Sequence, residues 1–563
     1  MDYKKTFEEW KKLKLDAETA AELLNMEHDE AEIKSRFSSE LKFGTAGMRG
    51  RLGAGTNRMN IHTVGRASQG LSEYVLQNGG QQKGMAVAYD TRKNSALFAE
   101  VTALVFAANG IKTYLFETAT SVPELSFAIR NLGAFGGVAI TASHNPRDYN
   151  GYKVYAPWGG QLLNEASDCI TRCIEAVTEV KSMQKEEALS KGLLVMLGSG
   201  TDKEYYRRLI GLIKRKEHID AYGKDIKLVY TPLFGTGLRT FKGVMEKLPY
   251  SYTLVEEQCE PNPEFPGMKA PNPEDAAAME KAIRLARYTG ADIACGTDPD
   301  ADRMGAAIKN ESGEFLMLSG NQIGCIIAEY LLRQRKESGE LSPDDYIVKS
   351  FVSTAMADSI AQDMGAQCIT VPTGFKYIGD LINTRKQGAF VFGFEESYGF
   401  LAGDFAADKD GVMALLLLLE VMCECKAKGE TLYGRLKKLY EKYGWYRESV
   451  TSAVMEGDGG MKRIQSIMLR LRETPPMAIG GQKTVAVTDY LRGIHKDGEG
   501  VKRIDFPSEN ALKFKLENGW VCVRPSGTEP KIKLYTAVRG ATDDEAKTML
   551  DALERDAKKL LEE

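Results

Sequence analysis

No stretch of this sequence is apolar enough to cross a bilayer, no charge of one sign dominates, and there is neither a low-complexity segment nor a short solenoid-type repeat. The longest apolar run, "GVMALLLLLEVMCECKAKG" from Gly411, is cut by Glu420 and falls short of the ~20 apolar residues that a span requires, so it reads as a buried helix. Lys+Arg 74 against Asp+Glu 78 leaves a net charge of -4, which gives no reason to expect nucleic acid or a membrane as partner. The start, "MDYKKTFEEWKKLKLDAETAAELL", reads as one charged amphipathic helix rather than a signal peptide, so a cytoplasmic location is expected. Neither Cys169/Cys173 nor Cys423/Cys425 has a second Cys or His pair at zinc spacing, and the nine cysteines are expected to be reduced core residues. The P-loop pattern is missing and no G-x-G-x-x-G follows a strand, which disfavours nucleotide binding.

What is present is the length and pattern of several α/β domains. At 563 residues one core cannot serve the whole chain. Short runs rich in Val and Ile ("GMAVAYD", "GVAITAS", "IKLVYTP", "ADIACGTD", "DYIVKSFVST", "QCITVPTG", "AFVFGFEES") alternate with segments of helical period, such as "SALFAEVTALVFAANG" and "NQIGCIIAEYLLRQRKESG". Polar breaks suggest three α/β domains with mixed, largely parallel sheets over 1–200, 201–315 and 316–445. The tail, 446–563, reads as an antiparallel sheet with a covering helix, an α+β domain.

Loops after parallel strands are where ligands gather, and four are unusual. In "TASHNPRDYNGYK", Ser143 stands at a strand end with His144, Asn145 and Lys153 near it, as an activated nucleophile needs. The G-x-S-x-G elbow is absent, and His144, the next residue, is expected to point the other way, which disfavours a hydrolase triad. A capping serine is the plainer alternative.

In "GTDPDADR", Asp298, Asp300 and Asp302 alternate, which in an extended loop puts three carboxylates on one side and calls for a cation. An EF-hand fails, because Arg303 and Lys309 occupy the positions that want glycine and glutamate. Three oxygens with room for a phosphate oxygen suit Mg²⁺. In "GFEESYGF", Glu395 and Ser397 are two apart and could accept from vicinal sugar hydroxyls, although helix caps look the same. In "RPSGTEPKIK", Arg524, Ser526, Gly527 and Thr528 are the residue types of a phosphate monoester site.

In this order and spacing, "TASHNP", "DPDADR", "GFEESYG" and "RPSGTEP", with the earlier "FGTAGMRG", resemble the α-D-phosphohexomutase superfamily over nearly the whole chain. "VPTGFKYIGD" and "DKDG" look like its phosphoglucomutase members, especially the branch with phosphopentomutase and glucose-1,6-bisphosphate synthase. The resemblance implies a heart-shaped four-domain protein with a TATA-binding-protein-like fourth domain. It also implies an isomerase that moves a phosphoryl group between glucose 1-phosphate and glucose 6-phosphate by way of a phosphoserine.

Ser143 would be that serine, one Mg²⁺ per chain would sit on Asp298, Asp300 and Asp302 with Ser143, and glucose 1,6-bisphosphate would act as intermediate and activator. Arg303 would hold the phosphoserine with Arg49 nearby. Lys153 and Lys376 would do acid–base work, which needs a lowered amine pKa. Glu395 and Ser397 would hold the sugar, and Arg524, Ser526, Gly527 and Thr528 the distal phosphate. Pentose or mannose phosphates are alternative substrates, and a metal-dependent phosphatase using the same serine is the rival activity. A small sugar phosphate is the expected partner, and the chain is expected to be a monomer or weak homodimer.

Overall fold

The computed structural model describes residues 2–13, 15–45, 47–455, 459–526 and 531–562. The chain forms two compact units, Met1–Ile323 with Phe375–Leu432 and Gly324–Gly374 with Tyr433–Glu563.

In the first unit a six-stranded sheet runs in the order Gly47–Arg51, Tyr149–Tyr155, Gly136–Ile140, Met85–Tyr89, Thr113–Phe116, Leu194–Leu197. The last four strands are parallel, and the first two close the sheet as an antiparallel edge. A five-stranded sheet follows the same plan. Strand Lys227–Thr231 lies parallel to both Ser251–Leu254 and Ile293–Thr297, and antiparallel Met304–Lys309 and Phe315–Met317 complete it. The central strands are buried on both faces, which is why they read as continuous apolar runs.

Helix ends follow local chemistry. Ser121 accepts from the Glu124 N–H, Pro123 sits in the first turn of Val122–Leu132, and Gly133 closes that helix at φ 62°. At the amino terminus the single expected helix is broken into Tyr3–Trp10 and Ala17–Asn25. Asp16 accepts from the Thr19 N–H at 2.9 Å, and this cap starts a second helix where periodicity alone would have continued the first. The run from Gly411 is the helix Gly411–Ala427, and its first fifteen residues are all buried. No helix among the described residues is long and apolar enough to cross a membrane.

The second unit holds the parallel strands Tyr346–Ser350 and Gln367–Val371 and a long antiparallel sheet. The order in that sheet is Trp445–Val454, Lys531–Gly540, Gly519–Pro525, Leu512–Leu516, Gln482–Asp489, Ile494–Asp497, Gly500–Arg503. Helices Gly460–Glu473 and Asp543–Lys559 bury Ile464, Ile467, Met468, Leu471 and Leu553 in one core with the sheet residues Phe514, Val521 and Leu534. All nine cysteines are free, as expected for reduced thiols, but Cys169, Cys173 and Cys368 are only half-buried.

Candidate active site

The loop that holds Ser143 leaves strand Gly136–Ile140 and returns into its antiparallel neighbour Tyr149–Tyr155. Ser143 sits in this loop at φ 51°, a left-handed conformation that is unfavourable for a residue with a β-carbon. Two sets of bonds hold it there. Thr141 Oγ1 accepts the Ser143 N–H at 2.8 Å. The buried Arg92 guanidinium donates to the carbonyls of Ser143 (2.6 Å), Pro146 (2.9 Å) and Tyr149 (3.1 Å), and it also bonds that of Asn145. Asp90 stands beside Arg92 at 3.4 Å, and the Phe265 ring covers it at 5.1 Å.

The left-handed turn overturns one expectation. His144 does not point away: its Nδ1 lies 3.1 Å from Ser143 Oγ. Alternation of side chains belongs to extended backbone, and this loop is not extended. Ser143 Oγ donates to Asp298 Oδ2 at 2.6 Å, so its single proton is committed and His144 Nδ1 supplies the hydrogen of the other contact. Burial, with Arg303 and Arg49 nearby, holds the His144 pKa well below the usual value, and the ring is neutral.

Asp298, Asp300 and Asp302 offer one oxygen each within 4.8 Å of one another, and all three are buried. They converge because the loop curls through Ala301 at φ 55°, and not because it is extended as the alternation suggested. Bonds from outside fix the curl: Gly411 N–H to the Ala301 carbonyl, Val122 N–H to the Asp300 carbonyl, and Thr141 Oγ1 to Asp300 Oδ2 at 3.1 Å. At Gly411 an added Cβ would stand 2.5 Å from the Arg303 carbonyl, so only glycine allows that approach.

The charges divide the trio. Burial and the neighbouring Asp300 and Asp302 push Asp298 well above the carboxylate range. Burial opposes ionisation of Asp302 too, but Lys409, Lys153 and Arg303 outweigh it and hold Asp302 low. Asp300 Oδ1 and Asp302 Oδ1 are buried with no hydrogen-bond partner among the described residues. Buried carboxylate oxygens without a partner, in a trio this close, are what a hard divalent cation satisfies, so the donor set fits Mg²⁺.

Lys153 reaches Asp300 at 2.8 Å and Asp302 at 3.4 Å. Burial would lower its pKa, yet these two carboxylates raise it overall. The lowered amine that base catalysis asks of Lys153 is therefore not found beside these carboxylates. Lys376 donates to Asn164 Oδ1 at 3.0 Å. Arg49 donates to Asn145 Oδ1 at 3.0 Å, on the Ser143 loop. The Arg303 guanidinium is paired with Glu274, while its backbone N–H reaches Asp298 Oδ1 at 3.0 Å.

Glu395 ends strand Phe390–Glu395, and its charge is felt at both Arg303 and Lys409. Ser397 is half-buried in the three-residue turn to Gly399–Leu401, with Tyr398 left-handed at φ 62°. Because the chain turns there, Glu395 and Ser397, although two apart, do not lie on one face of an extended segment. Arg524 and Ser526 lie in the second unit, and Gly527 and Thr528 lie outside the described residues.

Four residues of this site were given no role by sequence reasoning. Lys409 bonds Asp302 at 2.9 Å and stands within "DKDG", where spacing suggests no role for it. Thr141 stands inside "TASHNP", overshadowed by the serine. Arg92 and Glu274 act through contacts 51 and 29 residues away and leave no local pattern.

Four family models match in succession: phosphoglucomutase/phosphomannomutase alpha/beta/alpha domain I over residues 40–181, domain II over 203–313, domain III over 319–443, and the C-terminal domain over 480–555. The chain belongs to the phosphoglucomutase/phosphomannomutase family. A phosphoglucomutase of Staphylococcus aureus (strain MRSA252) is 36% identical over 537 residues, covering 94% of this chain and 95% of that protein. Among solved structures, Paramecium pp63/parafusin, a phosphoglucomutase, matches with TM-score 0.71 at 17% identity, covering 93% of this chain and 95% of that one. A phosphoglucomutase/phosphomannomutase family protein from Burkholderia thailandensis matches with TM-score 0.68 at 17% identity, covering 93% and 98%. These two likenesses speak for the fold. With the curated relatives and the four domain matches, the chain is an isomerase of the phosphoglucomutase type, one that works by phosphoryl transfer.

Proposed function

We propose that this family member interconverts glucose 1-phosphate and glucose 6-phosphate through phosphorylated Ser143 and a glucose 1,6-bisphosphate intermediate. The observation that carries the proposal is Ser143 Oγ, 2.6 Å from Asp298 Oδ2 at the edge of the buried aspartate trio. In the transfer, a sugar hydroxyl oxygen forms a bond to phosphorus, the bond from phosphorus to Ser143 Oγ breaks, and the hydroxyl proton passes to a base. The reverse transfer then takes the other phosphate from the bisphosphate after it has turned over.

Asp298, Asp300 and Asp302, with an oxygen on Ser143, would hold Mg²⁺, whose charge, when it is bound, neutralises the transferring group. His144, neutral and 3.1 Å from Ser143 Oγ, donates a hydrogen bond to the oxygen that gives up and takes back the phosphoryl group. Lys153 and Lys409 supply positive charge around the same carboxylates. Glu395 would accept from sugar hydroxyls, and Arg524 and Ser526, with Gly527 and Thr528, would clamp the phosphate that is not reacting.

The test is isomerisation of glucose 1-phosphate with Mg²⁺ and a trace of glucose 1,6-bisphosphate, read by a coupled glucose 6-phosphate dehydrogenase. Mannose 1-phosphate and ribose 1-phosphate run in parallel, with Ser143→Ala beside the wild type. Loss of at least about 10⁴-fold in the variant is expected, since the covalent route has no other nucleophile. A faster pentose or mannose reaction would move the substrate assignment, and inorganic phosphate release without isomer would replace the mutase with a phosphatase.

A further inference from the structure

In the second unit, strands Leu512–Leu516 and Gly519–Pro525 pair antiparallel with Leu512 opposite Val523. Glu509, three residues before the first strand, therefore overhangs the end of the ladder at the point where Arg524 emerges. Its Oε1 takes two donors: Arg524 Nε, and Thr373 Oγ1 at 2.8 Å. Its Oε2 is buried and has no partner among the described residues.

We propose that Glu509 is the positioning residue of Arg524, fixing the arginine of the phosphate clamp against Thr373; this rests on the clamp proposed above. A guanidinium committed at Nε meets a phosphate with its outer nitrogens, and a fixed planar fork loses less freedom when it binds. Thr373 lies two residues past strand Gln367–Val371, whose Val371 carbonyl accepts the Phe351 N–H at 2.9 Å, and in the same unit Phe351 and Tyr490 pack at 4.6 Å and Tyr490 and Phe506 at 4.9 Å. Lys513 donates to the Phe351 carbonyl at 2.6 Å and lies 4.0 Å over the Trp520 ring.

Stability alone does not account for the arrangement. The Arg524 and Glu509 side chains are 30% and 15% exposed, and a part-buried ion pair repays the cost of its desolvation only in part. A clamp that must take one phosphate of a bisphosphate, release it and then take the other gains from an arginine that returns to one place.

The experiment measures KM and kcat for glucose 1-phosphate in the wild type, Glu509→Gln, Arg524→Ala and the double variant. Glu509→Gln is expected to raise KM about tenfold with kcat changed by less than about threefold, the size of one charge-assisted hydrogen bond lost from binding. In the Arg524→Ala background the same change is expected to add nothing, because the group that it positions is gone. Full additivity in the double variant would overturn the proposal, as would an unchanged KM in Glu509→Gln beside a raised KM in Arg524→Ala. An unchanged KM in Arg524→Ala would instead remove the clamp itself, and the proposal with it. If Glu509→Gln fails to fold, Thr373→Val takes its place, with a smaller KM rise that must likewise vanish without Arg524.

Discussion

At the scale of single residues, the site depends on side chains holding backbone where it would not rest alone. Ser143 at φ 51° and Ala301 at φ 55° are each held by bonds from other segments, and Thr141 serves both loops, accepting from Ser143 N–H and donating to Asp300. Asp410, beside Lys409, shows a different constraint. It caps helix Gly411–Ala427 by accepting the Met413 N–H at 2.9 Å and takes the Tyr205 hydroxyl on its other oxygen. Burial pushes its pKa up to about 6 from 3.8. A carboxyl whose folded pKa is raised contributes stability that is fully present below the unfolded value and lost as pH rises through the folded one. Asn cannot ionise and caps equally well. Asp410→Asn should match the wild type near pH 4 and become more stable by at most about 3 kcal/mol near pH 7. Urea unfolding at both pH values checks this, and a difference that stays flat between them would show that Asp410 does not take up a proton on folding.

Elements were the most legible level. The parallel strands stood out as apolar runs because both faces are covered, and the tail was separable because its strands alternate and its helices carry one apolar stripe. The amino-terminal break was not legible, because one aspartate cap outweighed a periodicity that ran straight through it. Glu420 looked like a blemish in an apolar helix, yet it ties a neighbouring segment down. Its carboxylate accepts the backbone N–H groups of Lys214 and Arg215, both at 2.6 Å, ahead of helix Lys216–Tyr222. Glu420→Leu would complete the apolar surface and strand two donors. The loss should win, by about 1–3 kcal/mol, since a charge-assisted hydrogen bond is worth about 1.5–3 kcal/mol and water reaches the freed N–H groups only in part. Glu420→Gln, which keeps an acceptor, should lose less. A lowered urea midpoint for Leu relative to Gln is the expected result, and a Leu variant as stable as the wild type would mean that the apolar gain prevails.

For the whole molecule, the serine and aspartate loops stood out in the sequence, but the contact between them did not. Asp298 and Ser143 are 155 residues apart and Lys153 and Asp302 149 apart, and no local pattern encodes such contacts. The aspartate loop was nevertheless readable, since three carboxylates in five residues have few uses other than a cation. That same cluster sets a thermodynamic expectation for the native protein. Three buried acids face one another with Asp298 driven well above its usual pKa, so a cation that binds only the folded site relieves repulsion that the unfolded chain does not feel. Mg²⁺ at about 100 times its dissociation constant should add about 2.7 kcal/mol to the domain that holds the loop. That is a rise of several degrees in the midpoint of its thermal transition, reversed by chelation. Asp300→Asn removes one of the two orphaned oxygens and should lose most of the response while keeping its fold, as read by circular dichroism. If Mg²⁺ stabilises this variant as much as the wild type, the ion binds elsewhere, and the aspartate trio would then need another explanation for three acids held so close.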